Sequence, residues 1–347
     1  MSAADRGGPS LRPDRQARPG CGVVSGGLLV ATTVATMVAT LSATAWAQPQ
    51  VFPSRPIRML VPFAPGGTTD IMARVVAGQM GSAWGQTTIV DNRPGANGII
   101  ASELTARASP DGYTLLYVAI GHAINALIYR KLPYDTERDF TPISLGATFA
   151  QLVLVHPGVP AGNVKELLAL VRSKPGAMSY ASGGIGSSQH LAGALFAWQG
   201  RLQVNHVPYK GGAPGLTDLM ARNVDMMIIQ PTSPEQVSGG RVRALAVTSP
   251  RRNASWPDLP SVSEAGLPGY ESQAWYGMVG PRGLPREVLG KLSEQAVAAL
   301  TTKEMRQRIA AQGGEVVASS PAEFGTFIRS EIERYAKVVR ETGIVAE

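Results

Sequence analysis

Short apolar runs along this chain repeatedly end in turns rich in Pro, Gly, Ser and Thr, and each turn opens onto apolar residues spaced three and four apart. The runs read as buried strands and the spacing as amphipathic helices. The first such unit is Ile57, Met59, Leu60, Val61 and Phe63, then Ala64-Pro65-Gly66-Gly67-Thr68-Thr69-Asp70, then Ile71, Met72, Val75, Val76 and Met80 at helical spacing. Thr87–Val90, a helix over 99–108 and Tyr113–Ala119 continue it. The order β-α-β-α-β predicts a parallel sheet with right-handed crossovers, whose ligands gather at the carboxyl ends of the strands.

A second unit follows the apolar segment Leu152–Val155. It comprises a helix over 164–174, a strand over 178–181, the loop from Ser182 through Gly183 and Gly186 to Ser187, Ser188 and His190, and a helix over 191–198. A strand over 203–207 then runs into Tyr209-Lys210-Gly211, a helix spans about 215–222, and strands cover 224–229 and 242–249. Trp275–Pro281 reads as a strand returning to the first unit, ahead of helices over 285–301 and 321–343, with a short strand at 315–317 between them. The pattern predicts two lobes, residues 48–151 with 272–347 and residues 152–271, with crossings near Gln151 and Ser272.

The first 47 residues stand apart. Arg6, Arg12, Arg15 and Arg18 precede an apolar stretch from Val23 to Leu41, and Ala45-Trp46-Ala47 has the A-x-A form. This is the layout of a secretory signal cleaved after Ala47, which implies a periplasmic protein starting at Gln48. Cys21, the single cysteine, lies ahead of the apolar stretch, so no lipid anchor is expected and the exported chain has no disulfide or thiolate ligand. The formal charge of +7 falls to +5 once the four Arg and two Asp of the leader are removed. The surplus is scattered without an aromatic-interleaved basic run, so nucleic acid is not an expected partner.

The four histidines form neither H-x₃-H nor H-E-x-x-H, and neither GxGxxG nor GxxxxGK[ST] occurs, so no metal or cofactor is expected. Ser187 or Ser188 with His190 raises a secreted hydrolase, but the G-x-S-x-G elbow is missing. Gly66 and Gly67 leave the main chain approachable, Thr68, Thr69 or Asp70 can cap the helix, and a helix start favours an anion. The same residues also serve a plain tight turn. His122 and His190 follow strand ends and suit either a ligand or the interior; Lys210 suits an anion or solvent; Asp225 suits a ligand or a strand edge.

Pro53-Ser54-Arg55-Pro56-Ile57, Val61 through Asp70, Asp91-Asn92-Arg93-Pro94-Gly95-Ala96-Asn97-Gly98, Lys131-Leu132-Pro133-Tyr134-Asp135, Ser182 through His190, Val207-Pro208-Tyr209-Lys210-Gly211-Gly212 and Arg243–Thr248 together resemble the Bug family. Its members are extracytoplasmic solute-binding receptors of tripartite tricarboxylate transporters. The resemblance spans essentially the whole exported chain. It implies an α/β type II periplasmic-binding-protein fold, two lobes around a ligand cleft, with no catalysis. It further implies a small organic carboxylate gripped by Phe63 to Asp70 from one lobe and Ser182 to His190 from the other, supported by Tyr209, Lys210, Gly211 and Asp225. Membrane components of such a transporter are the implied partners, and a sensor reporting to a membrane kinase is a further possible role. Two departures stand out: Ala221-Arg222-Asn223 precedes Val224-Asp225 where the family usually has Gly-Gly, and Met227-Ile228-Ile229-Gln230 replaces a frequent aromatic.

Overall fold

The structure, a computed structural model, describes residues 51–230, 237 and 239–346. The expected signal segment lies outside the described residues. Strands β1 (Ile57–Val61), β2 (Thr88–Asn92), β3 (Thr114–Ala119), β4 (Phe140–Ala150), β10 (Gln273–Pro281) and β11 (Gly314–Val316) form one sheet, in the order β11-β4-β10-β3-β1-β2. Strands β5 (Leu152–Val155), β6 (Ser179–Ser182), β7 (Asn205–Pro208), β8 (Met226–Ile229) and β9 (Arg243–Val247) form the other, in the order β7-β6-β8-β5-β9.

Both sheets are mixed. β1 pairs in parallel with β2 and β3, as the alternation predicts, but β10 runs antiparallel to β3 and β4, and β11 antiparallel to β4. The parallel pairing expected of the opening β-α-β-α-β segment is present, and in the second sheet β6 is likewise parallel to β7 and β8 while β5 is antiparallel to β8 and β9. The long strand β4 falls outside the expected set, as do two helices, Gly121–Ile128 and α8 (Lys303–Ala310).

Side chains of β1 alternate between two cores although both faces are buried. Ile57, Met59 and Val61 pack with Met72, Val76 and Met80 of α1 (Thr68–Trp84) and with Leu292 and Leu300 of α7 (Arg286–Thr301). Leu60 faces the opposite core, with Ala101 of α2 (Ile99–Ala106), Ile124 of α3 (Gly121–Ile128) and Phe324 of α9 (Pro321–Thr342). A strand covered by helices on both sides is apolar on both faces, and β1 is so from Met59 to Val61, while Arg58 near its start reaches out to pair with Asp91.

In the second sheet Val153, Val155, Met226 and Ile228 pack under α4 (Val164–Ser173) and α5 (Ser188–Gly200). Leu152, Leu154, Met227 and Ile229 meet Leu216 and Leu219 of α6 (Gly212–Met220).

The chain leaves the first sheet at Ala150 and enters the second at Leu152, so Gln151 is the link. Its amide donates to Thr248 Oγ1 at 2.8 Å, its carbonyl accepts from the Thr248 amide at 2.9 Å, and the Ser272 amide donates to the Thr248 carbonyl at 3.1 Å. Outgoing and returning chain are thereby tied together. Helix α9 straddles this region: Glu331 accepts from Trp275 Nε1 at 3.0 Å, Tyr335 Oη lies 3.3 Å from Ser272 Oγ, and Lys337 sits over the Trp198 ring of α5. Among the described residues no helix is long and apolar enough to cross a membrane.

Candidate functional site

Strand register brings the opposed edges of the two sheets to one place. In the first lobe the turns after β1 and β3 leave the carboxyl edge, and Tyr276 of β10 lies opposite Ala119 and Ala147 at that edge. In the second lobe Leu152 pairs with Ile229 and with Val247, so Gln151, Gln230 and Thr248 cluster at the edge. Tyr276 Oη donates to Gln230 Oε1 at 3.2 Å, joining the edge of the first sheet to the second. Asn97, held at φ 49°, donates from Nδ2 to Asn125 Oδ1 at 2.9 Å and across to the Gly186 carbonyl at 3.3 Å.

The turn after β1 is braced from below. Asp70, buried, accepts from the Gly66 amide at 3.0 Å, from Arg74 and, at 2.9 Å, from Asn92 Nδ2, which also donates to the Phe63 carbonyl. Burial pushes the Asp70 carboxyl up, but hydrogen bonds from Arg74, Gly66 and Asn92 with the guanidinium charge outweigh it and hold the group below its ordinary value. Asp70 thus shapes the turn and has its oxygens occupied. The N-cap of α1 is Gly67, with no side chain to take the first amides, so Thr68 to Asp70 start the helix with donors that no side chain caps. Phe63 and Thr68 are half-buried, while Ala64 to Gly67 are exposed.

The facing loop after β6 is built similarly. Ser182 Oγ accepts from the Gly184 amide and lies 2.7 Å from His206 Nε2; Gly184 and Gly186 have φ of 119° and 77°. A side chain at Gly186 would run into Ile128 and Asn97 of the other lobe, so only Gly lets the lobes meet there. Ser187 caps α5 by accepting the His190 amide at 3.2 Å, and His190 Nδ1 accepts the Gly186 amide at 3.1 Å. The His190 ring stacks on His206 at 4.0 Å, and His206 on Tyr180 at 4.8 Å. Burial, aided by the neighbouring His206, pushes His190 down to about 3, and burial pushes His206 down to about 4. Both rings are neutral supports for the loop.

The Tyr209-Lys210-Gly211 turn joins this loop, because the Tyr209 amide donates to the Ser182 carbonyl and the Gly211 amide to the Gly183 carbonyl. Tyr209 Oη is committed to Asp218 at 2.6 Å, and Lys210 is exposed. Two expected site residues lie elsewhere. Asp225 sits beside Ser179, accepting its amide at 2.8 Å at the start of β6, the end of the strand opposite Ser182. His122 lies within the first lobe against Phe140 and Tyr134; neither ring nitrogen has a hydrogen-bond partner among the described residues, and burial pushes it down to about 4.

Neither candidate nucleophile has a base. Ser187 Oγ is the helix cap, and Ser188 Oγ accepts from Gln151 Nε2 at 3.4 Å. Ser182 does meet a histidine but is itself fully buried. Among the described residues the buried charged side chains are Asp70 and Glu331, with no buried Lys or Arg. A crevice of about 300 Å³ beside the crossings, lined by Thr148, Ser249, Arg251, Asn253, Gln273 and Glu315 among others, touches none of the turns that converge here.

Sequence pattern located the two Gly/Ser turns but missed Gln151, Gln230, Tyr276, Asn97 and His206. A usable signal existed for the glutamines: each is a lone amide abutting a fully apolar strand.

Residues 72–344 match the TctC family, described as the tripartite tricarboxylate transporter family receptor. Protein BugT of Bordetella pertussis is 34% identical over 298 residues, covering 84% of this chain and 90% of its own. Two solved structures are similar: R. palustris Rpa4515 with adipate, at TM-score 0.78 and 35% identity over 85% of this chain and 99% of that one, and MatC (Rpa3494) from Rhodopseudomonas palustris with bound malate, at 0.74 and 33% over 83% and 100%. The family match begins within α1, just beyond the turn after β1, and runs through both sheets and α9, and the chain belongs to the TctC/Bug family of tripartite tricarboxylate transporter receptors, a two-lobed solute-binding protein and not an enzyme.

Proposed function

We propose that this receptor takes a small organic carboxylate between its lobes and delivers it to the membrane components of a tripartite transporter, after export and loss of residues 1–47. The lobes in this reading are 48–151 with 272–347, and 152–271. The carboxylate sits between the starts of α1 and α5, gripped by Phe63 to Thr68 and Ser182 to Ser188, with Tyr209 to Gly211 at the rim. Asp70 and His190 hold those turns in shape, while His122 and Asp225 take no part.

The observation that carries this reading is the capping of α1 by a glycine. Its first amides stay open to an anion at the positive end of a helix, on a turn already rigid through Asp70. Relatives of similar length with adipate and malate add support for the ligand class.

The test is a native mass spectrum of freshly purified protein, followed by calorimetry with adipate and malate and by solution scattering. A retained acid or micromolar binding, with a smaller radius of gyration on saturation, is the expected result. Absence of binding to any carboxylate would refute the proposal.

A further inference from the structure

We infer that Gln151 reads a hydrogen-bond donor on the ligand beside its carboxylate, so that this receptor selects 2-hydroxy or 2-amino acids over the plain acids. The inference rests on the carboxylate reading above and names the ligand class more narrowly.

Gln151 is fully buried on the link between the lobes, and its main-chain groups are satisfied by Thr248. The side chain is only half used. Nε2 donates to Ser188 Oγ at the start of α5, whereas Oε1 is buried with no hydrogen-bond partner among the described residues. Buried acceptors without a donor are rare in folded proteins, and those that occur mark strain, function or a missing partner. Gln230, its neighbour at the sheet edge, has its own oxygen engaged by Tyr276, so it does not compete for the same donor.

The two heteroatoms of a carboxamide share one carbon. A group that satisfies Oε1 therefore lies close to Ser188, where the ligand's carboxylate meets the helix start. A small acid supplies a donor there through a hydroxyl or ammonium on the adjacent carbon. A plain acid puts a methylene in that place and leaves the acceptor unpaired, which is the condition under which a polar site discriminates most strongly.

Calorimetry on the exported chain with three pairs differing by one donor tests this: malate against succinate, lactate against propionate, mandelate against phenylacetate. The hydroxylated member of each pair that binds is expected to be about tenfold tighter. Gln151→Met, close in volume, is expected to erase that difference, whatever the loss of its bond to Ser188 does to both members of a pair alike. Equal affinities within every binding pair, or a folded Gln151→Met that keeps the preference, overturn the inference and leave the carboxylate reading intact. If the variant does not melt cooperatively, the wild-type pairs alone decide. Failure to bind any of the six acids, with adipate also silent, overturns both readings.

Discussion

Gly67 shows how one residue type can matter at a site for a reason other than backbone freedom. Its φ of −79° is ordinary for any residue, and a Cβ there would meet nothing nearer than the Ala64 carbonyl at 3.9 Å; the left-handed residue of the turn is Gly66, at φ 88°. Gly67→Val should cost about 1 kcal/mol through loss of a good cap, yet still fold, and should weaken acid binding at least about tenfold by crowding the open amides. Lys210→Ala, on an exposed rim residue, should change affinity less than about threefold. Paired melts and calorimetry check both, and the opposite ranking would replace the main-chain grip with an ion pair. His122 gives a second residue-scale prediction. Its folded value of about 4 lies below 6.5, so its contribution is intact above pH 6.5 and falls as pH drops from there toward 4, where the unfolded chain holds the extra proton. His122→Phe should raise stability by about 1–3 kcal/mol by removing the unsatisfied ring nitrogens, and should flatten part of the acid limb of thermal melts. Turn composition made the Gly/Ser loops legible, whereas a buried His and a ligand-facing His look alike in one sequence because only packing separates them.

At the scale of elements, α5 couples stability to the site. Ser187 caps it from the loop after β6, so Ser187→Ala should lower stability by about 1 kcal/mol, read as a drop in Tm of a few degrees. A Tm unchanged within error would mean that the loop re-caps the helix another way. Strand β4 explains why the fold was only partly legible. Pro142 and Gly146 punctuate it and read as loop residues, but the sheet accommodates both. The pairing slips between Met278 and Val279, opposite Pro142, and a Cβ at Gly146 would press on Tyr117 Oη at 2.9 Å and on the Tyr276 carbonyl at 3.2 Å. β10 was legible as a strand returning to the first sheet, but its antiparallel direction was not, because alternation of strand and helix speaks only for neighbours in sequence. The short helix at Lys303–Ala310 escaped because Thr302 alone separates it from α7.

Taken whole, the molecule is two sheets with a continuous core running through the hinge. Phe196, Tyr270, Trp275, Tyr335 and Phe324 belong to one cluster, so the two sheets are joined by packed aromatics and not by a slack linker. The link at Gln151 is tied to Thr248, and α9 braces the returning strand through Glu331 and Tyr335. Burial in this molecule includes no Lys or Arg among the described residues, and the proposed grip is made of main-chain amides and neutral side chains. Such dipoles act over a few ångströms inside a cleft from which salt is excluded, whereas a surface ion pair is screened within about 8 Å at physiological ionic strength. Acid affinity should therefore change by less than about twofold between about 20 and 500 mM sodium chloride, measured by calorimetry; a steep decline would point to a cation in the grip. On the proposed grip, a receptor of this design would keep its calibration as the salinity outside the cell rises and falls, because it would sense the shape and polarity of an acid and not the ionic atmosphere around it.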